Sequence, residues 1–293
     1  MTRYQVVHQT DYRYAAPVTS SYGQACLLPR DLDGQQCISS VLDIDPAPSD
    51  QRERSDFFGN RVSFFTVTTP HDVLRITSTS TVDVTSKRGS LPLGSDQSWE
   101  QVRDRCRTLG GPVGVDARHH LLDSTSAPTT DVARTYAAQS FTPGRPALEA
   151  VADLSSRIHA DFDFDPGATD VTSTIEDLFD ARGGVCQDFA HLAVSCLRSI
   201  GLPGRYVSGY LETIPPPGKE KLQGADVSHA WASVLLPEVG WIDVDPTNDK
   251  FVDDRYVTVA WGRDYQDVTP VKGVVYTSGG RTQLTVTVDV TRV

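Results

Sequence analysis

The sequence predicts an α+β protein, with an antiparallel β-sandwich in front and a mixed unit of helices and strands behind. Three patterns carry this. Residues 1–85 are rich in β-branched and aromatic residues, in alternating runs between turn-forming clusters. Over 145–200 apolar residues return every three or four positions, the period of a helix. Beyond 200 short strand-like runs follow, broken by turn residues.

In the first region Tyr4, Val6 and His8 alternate with Gln5, Val7 and Gln9. The runs 61–68 and 74–84 are dense in Val, Ile, Phe and Thr, which suit a pleated sheet. Turn clusters at 29–34 and at Phe58-Gly59-Asn60 precede them. Short strands at this spacing read as a sandwich. Residues 86–144 change character: 87–95 is linker-like and 110–130 has little periodicity. This stretch is expected to be a connection with short helices at most, and its His119-His120 pair is expected at the surface. In 145–293, Pro146 suits the start of a helix that carries Leu148, Val151, Leu154 and Ile158 on one face. A second helix carries Phe189, Leu192, Ala193, Cys196, Leu197 and Ile200, and Gly201 stops it. Strands are expected over 207–211, 230–236, 241–244 and 283–290. The expected organisation is therefore 1–85, 86–144 and 145–293.

Composition excludes several functions. The 293 residues hold 27 Lys and Arg against 38 Asp and Glu, a net charge of −11, which repels nucleic-acid phosphates and anionic lipid. No run of about eighteen apolar residues marks a membrane span, and the start shows no signal-peptide stretch. Neither nucleic acid nor membrane is an expected partner. The five cysteines, Cys26, Cys37, Cys106, Cys186 and Cys196, are too few and irregular for a disulfide framework. They predict free thiols in a reducing, cytoplasmic setting. No cofactor or metal is expected. Asp161, Asp163 and Asp165 alternate before Gly167, but that glycine comes one place late for a calcium loop and no Glu closes it. The sequence leaves the oligomeric state open.

Three segments carry chemistry. Gly183-Gly184-Val185-Cys186 puts a cysteine in the first turn of the second helix, where unpaired N–H groups and the dipole favour a thiolate. The two glycines would let a substrate backbone come close. His229 heads a strand, beside Trp231. Trp241, Asp243 and Asp245 share one face of the next strand, which Pro246 ends, so either carboxylate could reach the imidazole. His191 lies five residues after Cys186, so the two side chains diverge and it is not expected to be the base.

The order Cys, His, Asp resembles the transglutaminase-like superfamily. The likeness rests on Gly184-Val185-Cys186-Gln187-Asp188-Phe189-Ala190, on His229-Ala230-Trp231, and on Gly240-Trp241 followed by Asp245-Pro246-Thr247-Asn248. The helix and strand over 197–210 and the segment 166–171 are also similar. Phe58-Gly59-Asn60-Arg61 looks like the amino-terminal domain of the bacterial branch. The likeness covers most of the chain and is weakest over 86–144.

The resemblance implies a papain-like catalytic core, with Cys186 as nucleophile, His229 as base and acid, and Asp245 as the residue that orients the imidazole. Asp243 is the rival for the third role, and the Asp-Pro-Thr-Asn context selects Asp245. The implied reaction is acyl transfer or amide hydrolysis on peptides or proteins through a thioester. The Cys186 N–H is the natural first oxyanion donor, and the second is not identified. Gln187 stands where the animal enzymes have Trp, which leaves the channel and acceptor open. Three alternatives stay open: a peptidase on the same scaffold, a non-catalytic binding module, and an arylamine N-acetyltransferase. The last shares the Arg182-Gly183-Gly184-Val185-Cys186 run, but the late cysteine, His229-Ala230-Trp231 and Asp245-Pro246-Thr247-Asn248 speak against it.

Overall fold

A computed structural model describes residues 1–85, 97–169, 173–213 and 228–293. The linker expected at 87–95 lies outside the described residues, as does 215–221, whose three prolines and glycine lead the sequence to predict a loop. Five strands open the chain: β1 (Thr2–Leu28), β2 (Gln35–Asp45), β3 (Asp50–Ser55), β4 (Arg61–Val67) and β5 (His71–Val84). Helices α1 (Trp99–Thr108), α2 (Gly111–His119), α3 (Asp131–Ser140) and α4 (Ala147–Asp161) follow. Then come β6 (Asp163–Phe164), α5 (Ile175–Ala181), β7 (Gly183–Gly184) and α6 (Cys186–Ser199). The remainder is β8 (Gly204–Leu211), β9 (Ser228–Leu236), β10 (Gly240–Asp245), β11 (Lys250–Phe251), β12 (Tyr256–Gly262), β13 (Val271–Thr277) and β14 (Thr282–Arg292).

The amino-terminal sheet is antiparallel and seven-stranded, and β1 runs through all of it. The first half of β1 lies between β5 and β14, and its second half between β4 and β13. Register shifts between Arg13 and Val18, around Pro17, which has no N–H to give to a ladder. The sheet thus folds on itself. Leu42, Ile44, Leu74 and Ile76 from one half pack with Ala25, Leu27, Phe65 and Val67 from the other. The sandwich is a single curled sheet.

The second sheet, in the order β11-β10-β9-β8-β12, is antiparallel throughout. Helix α6 packs on β8 and β9 and against α3. Every residue of α6 from Asp188 to Ser199 is buried, as expected of a helix covered on all sides. Its buried Arg198 is held by the carbonyls of His120, Ala127, Gly204 and Arg263.

The two sheets share a core. Tyr4, Val6, Val82, Val84, Val288 and Val290 belong to the same buried cluster as Val102, Ala137, Leu154 and Leu197 of the helices. Two amide side chains extend the join: Gln35 exchanges both hydrogen bonds with the Thr258 backbone, and Asn60 does so with Trp261. β12 is thereby fixed to the amino-terminal sheet.

The stretch before 144 holds three short helices, of 10, 9 and 10 residues, and side-chain caps start the first and the third. Ser98 and Gln101 form a reciprocal capping box at α1, and Thr130 caps α3. His120 is a correction: it is fully buried, not at the surface. The end of α2 carries it beneath Trp241, with ring centroids 5.0 Å apart, and its Nδ1 lies 2.9 Å from the Asp116 carbonyl. Burial pushes its pKa below the ordinary histidine range despite the nearby Asp116 carboxylate.

Candidate active site

Cys186 is the first residue of α6, half-buried, and preceded by Val185 in extended conformation. The Val185 N–H donates to Asp188 Oδ2 at 2.8 Å, so a carboxylate from the helix's own first turn closes back on its start. Thr169 Oγ1 donates to the same oxygen at 2.6 Å. The glycines before Cys186 have a packing reason. A Cβ on Gly184 would lie 2.8 Å from Asp188 Oδ2 and 2.9 Å from a Leu178 methyl. Together Gly183 and Gly184 form β7, which pairs with β6 and fixes the approach to the helix.

His229 is the second residue of β9 and is 7% exposed. Its Nε2 lies 2.7 Å from Asp245 Oδ2. Cys186 is its other hydrogen-bonding and charge partner. Since Asp245 takes Nε2, the ring nitrogen left for the thiol is Nδ1. Burial alone would lower the imidazole pKa, but the Asp245 carboxylate and Cys186 outweigh it and raise it above the ordinary range.

Asp245 ends β10 and is completely buried. Its Oδ2 accepts from His229, from Asn248 Nδ2 at 2.7 Å and from Tyr256 OH at 2.7 Å. Oδ1 accepts from the backbone N–H groups of Thr247 at 2.9 Å and Asn248 at 3.3 Å. Burial opposes the charge on this carboxylate, but His229, Asn248 and Tyr256 hold its pKa below the ordinary range. Burial and the same carboxylate push the Tyr256 hydroxyl pKa far up, so it stays a donor. Asp243 lies opposite Ser233 in the β9–β10 ladder, four residues along from His229.

The structure therefore brings Cys186, His229 and Asp245 together from three separate elements. Asn248 and Tyr256 complete the shell and had no role in the sequence reading. Asn248 closes the Asp-Pro-Thr-Asn run and was legible as a motif residue. Tyr256, on another strand, had no local signal. His191 is elsewhere: it is buried over Tyr206 at 4.8 Å and its Nε2 accepts from the Tyr265 N–H. Burial pushes it down to about 4, so it is a neutral acceptor. Asp161 accepts from the Tyr136 hydroxyl and Asp165 from the Gly167 N–H. Among the described residues no group of three or more His, Cys, Asp or Glu is placed to hold a metal.

A helix-borne cysteine facing a sheet-borne histidine and carboxylate defines a papain-like α+β protein. Residues 4–83 match the model of the bacterial transglutaminase-like N-terminal region, and 134–246 match that of the transglutaminase-like superfamily. A protein of Mycobacterium tuberculosis strain H37Rv is 46% identical across 98% of this chain and 92% of its own length. A protein-glutamine gamma-glutamyltransferase of Pseudomonas aeruginosa is 32% identical over 36% of this chain and 18% of its own length. The crystal structure of a candidate cysteine protease from Cytophaga hutchinsonii superposes with a TM-score of 0.76, at 20% identity, over 99% of this chain and 90% of that one. The chain belongs to the transglutaminase-like superfamily, in the bacterial group with this amino-terminal region. No helix among the described residues is long and apolar enough to cross a membrane.

Proposed function

We propose that this chain is a cysteine-dependent enzyme that transfers or hydrolyses acyl groups of peptide or protein amides through a thioester. The observation that supports it best is His229, buried between Cys186 and a fully buried, five-fold hydrogen-bonded Asp245. In this reading the Cys186 sulfur, as thiolate, attacks the amide carbonyl carbon. The C–N bond breaks and the His229 imidazolium gives its proton to the departing amine. A thioester remains, and His229 is neutral. It then takes a proton from water or from a second amine as that nucleophile attacks. The acid or new amide leaves, and the thiolate–imidazolium pair is restored. Asp245 keeps the ring oriented and stabilises its charged form. The Cys186 N–H, at a helix start, is the first donor to the oxyanion.

The two outcomes differ only in what resolves the thioester. The relative named as a glutamine gamma-glutamyltransferase favours transfer from glutamine. Five unpaired cysteines support the reducing, cytoplasmic setting. The test is mass spectrometry after incubation with glutamine peptides and a labelled amine. Labelled amide, or deamidated or cleaved peptide, made by wild type and not by Cys186→Ala, is expected. Turnover unchanged in Cys186→Ala sinks the proposal.

A further inference from the structure

Tyr4, Tyr136, Tyr206, Tyr210 and Tyr256 are buried. All but one have a partner for the hydroxyl. Tyr4 donates to Glu212, Tyr136 to Asp161 and Tyr256 to Asp245, and Tyr210 pairs with His8 Nδ1. Tyr206 is 2% exposed, yet its hydroxyl has no hydrogen-bond partner among the described residues. A phenylalanine would fill the same space without the cost of a buried, unpaired hydroxyl. Such a group calls for a partner that arrives from outside the fold. Tyr206 is the third residue of β8, opposite Ala232 of β9. Its ring lies against His191 of α6, with centroids 4.8 Å apart and the planes 31° from parallel. His191 is in turn tied to the Tyr265 N–H, so the phenol is held in place. Of the ionisable groups whose charge acts on the hydroxyl, Cys186 comes first, then Tyr265, Asp188 and Asp264. Cys186 and Asp188 both stand in the first turn of α6, so the hydroxyl points to the head of that helix. Burial, and Cys186 after it, push the phenol pKa well above its ordinary value, so it keeps its proton and stays a donor.

We propose that the Tyr206 hydroxyl is the second donor to the oxyanion, alongside the Cys186 N–H; this rests on the thioester chemistry proposed above. As the thiolate sulfur bonds to the carbonyl carbon, the C=O π pair moves onto the oxygen. The Tyr206 O–H and the Cys186 N–H each donate a hydrogen bond to that oxygen, and both keep their protons. The pair returns to the C=O bond as the C–N bond breaks and the amine leaves with the proton from His229. The same two donors hold the oxygen again when water or a second amine attacks the thioester. His229 stands three residues before Ala232 on β9, about 10 Å along the strand. The phenol and the imidazole therefore approach Cys186 from separate places on the sheet, one to meet the oxygen and the other the leaving group. A hydroxyl that bonds nothing in the resting fold, the Cys186 sulfur included, gives up no hydrogen bond of its own when the oxyanion forms.

The test compares Tyr206→Phe with wild type on the full chain, with a glutamine peptide and a labelled amine as substrates. Loss of one oxyanion donor is expected to lower kcat by about 10²-fold or more. KM is expected to stay within about threefold, because the hydrogen bond is made only as the transition state forms. Alkylation of Cys186 by iodoacetamide forms no oxyanion, so its rate and its pH profile are expected to match wild type within about twofold. The melting temperature is expected to be unchanged or higher, since the variant removes an unpaired buried hydroxyl and keeps the ring. A packing role alone would give the reverse, a lower melting temperature with kcat preserved, and that result overturns the proposal. So does a lower melting temperature by itself, which would show the hydroxyl to be paired within the fold. An altered pH profile of alkylation also overturns it, by assigning the hydroxyl to the thiolate and not to the oxyanion. If wild type turns over and Tyr206→Phe keeps its kcat, this inference alone fails. If wild type shows no turnover that depends on Cys186, the proposed function fails, and the role of Tyr206 falls with it.

Discussion

Asp245→Asn tests the core of the proposed mechanism, because the native carboxylate accepts five hydrogen bonds and donates none. An amide has one oxygen and one NH₂. If its oxygen faces His229, Asn248 and Tyr256, the NH₂ meets the N–H groups of Thr247 and Asn248; turned over, it meets the other three. Donor meets donor either way. Losing one member of a buried charged pair costs about 3–5 kcal/mol of stability, which urea denaturation reads directly. The effect should depend on pH. Burial opposes the charge on His229, but its partners raise the folded pKa. That contribution is full below the ordinary histidine range and is lost as pH rises through the raised value. Asp245, also buried, is held low by its partners, so its contribution is present above the ordinary carboxylate range and lost as pH falls through the depressed value. The stability gap between wild type and variant is therefore widest between the ordinary carboxylate and ordinary histidine ranges, in mildly acidic solution, and narrows towards both ends. For activity, loss of the carboxylate removes what stabilises the imidazolium. A serine triad loses about 10⁴-fold on the same change. A smaller loss, about 10²–10³-fold in kcat/KM, is expected for a helix-terminal cysteine, which depends less on its base. Asp243→Asn is expected to stay within about tenfold of wild type. If Asp243→Asn is the more damaged enzyme, or if Asp245→Asn keeps wild-type kcat/KM, the orienting role is wrong.

Cys186→Ala should lose at least about 10³-fold in rate with its melting temperature intact, since a small half-buried side chain leaves little cavity. Iodoacetamide at neutral pH should label Cys186 first, because burial pushes Cys26 up to about 12 and Cys106 up to about 11, and Cys196 further; peptide mapping reads the order. Gly184→Ala should cost about 1–3 kcal/mol in a thermal melt, since its methyl group would collide with Asp188 and Leu178; an unchanged melt would show that the helix start yields freely. Tyr256→Phe deletes one donor to a buried carboxylate and should cost about 1.5–3 kcal/mol. It should also lower kcat/KM by about tenfold, read by steady-state kinetics.

The local grammar of this chain was legible because it lies in spacings of a few residues. Alternation at Tyr4, Val6 and His8, the apolar faces of α4 and α6, and a cysteine after two glycines all follow from backbone period and turn chemistry. Motif residues marked Cys186, His229 and Asp245, but two carboxylates on one strand face could not be separated by period alone. Only the tertiary structure put Asp245 at 2.7 Å from the imidazole and surrounded it with Asn248 and Tyr256. The same holds for His120, whose burial depends on Trp241 far along the chain. It holds for the pairing of β1 with β14, and for Gln35 and Asn60 reaching the backbone of β12. Backbone period is written into neighbouring residues; which distant donor fills which buried acceptor is decided when the sheets close on a common core.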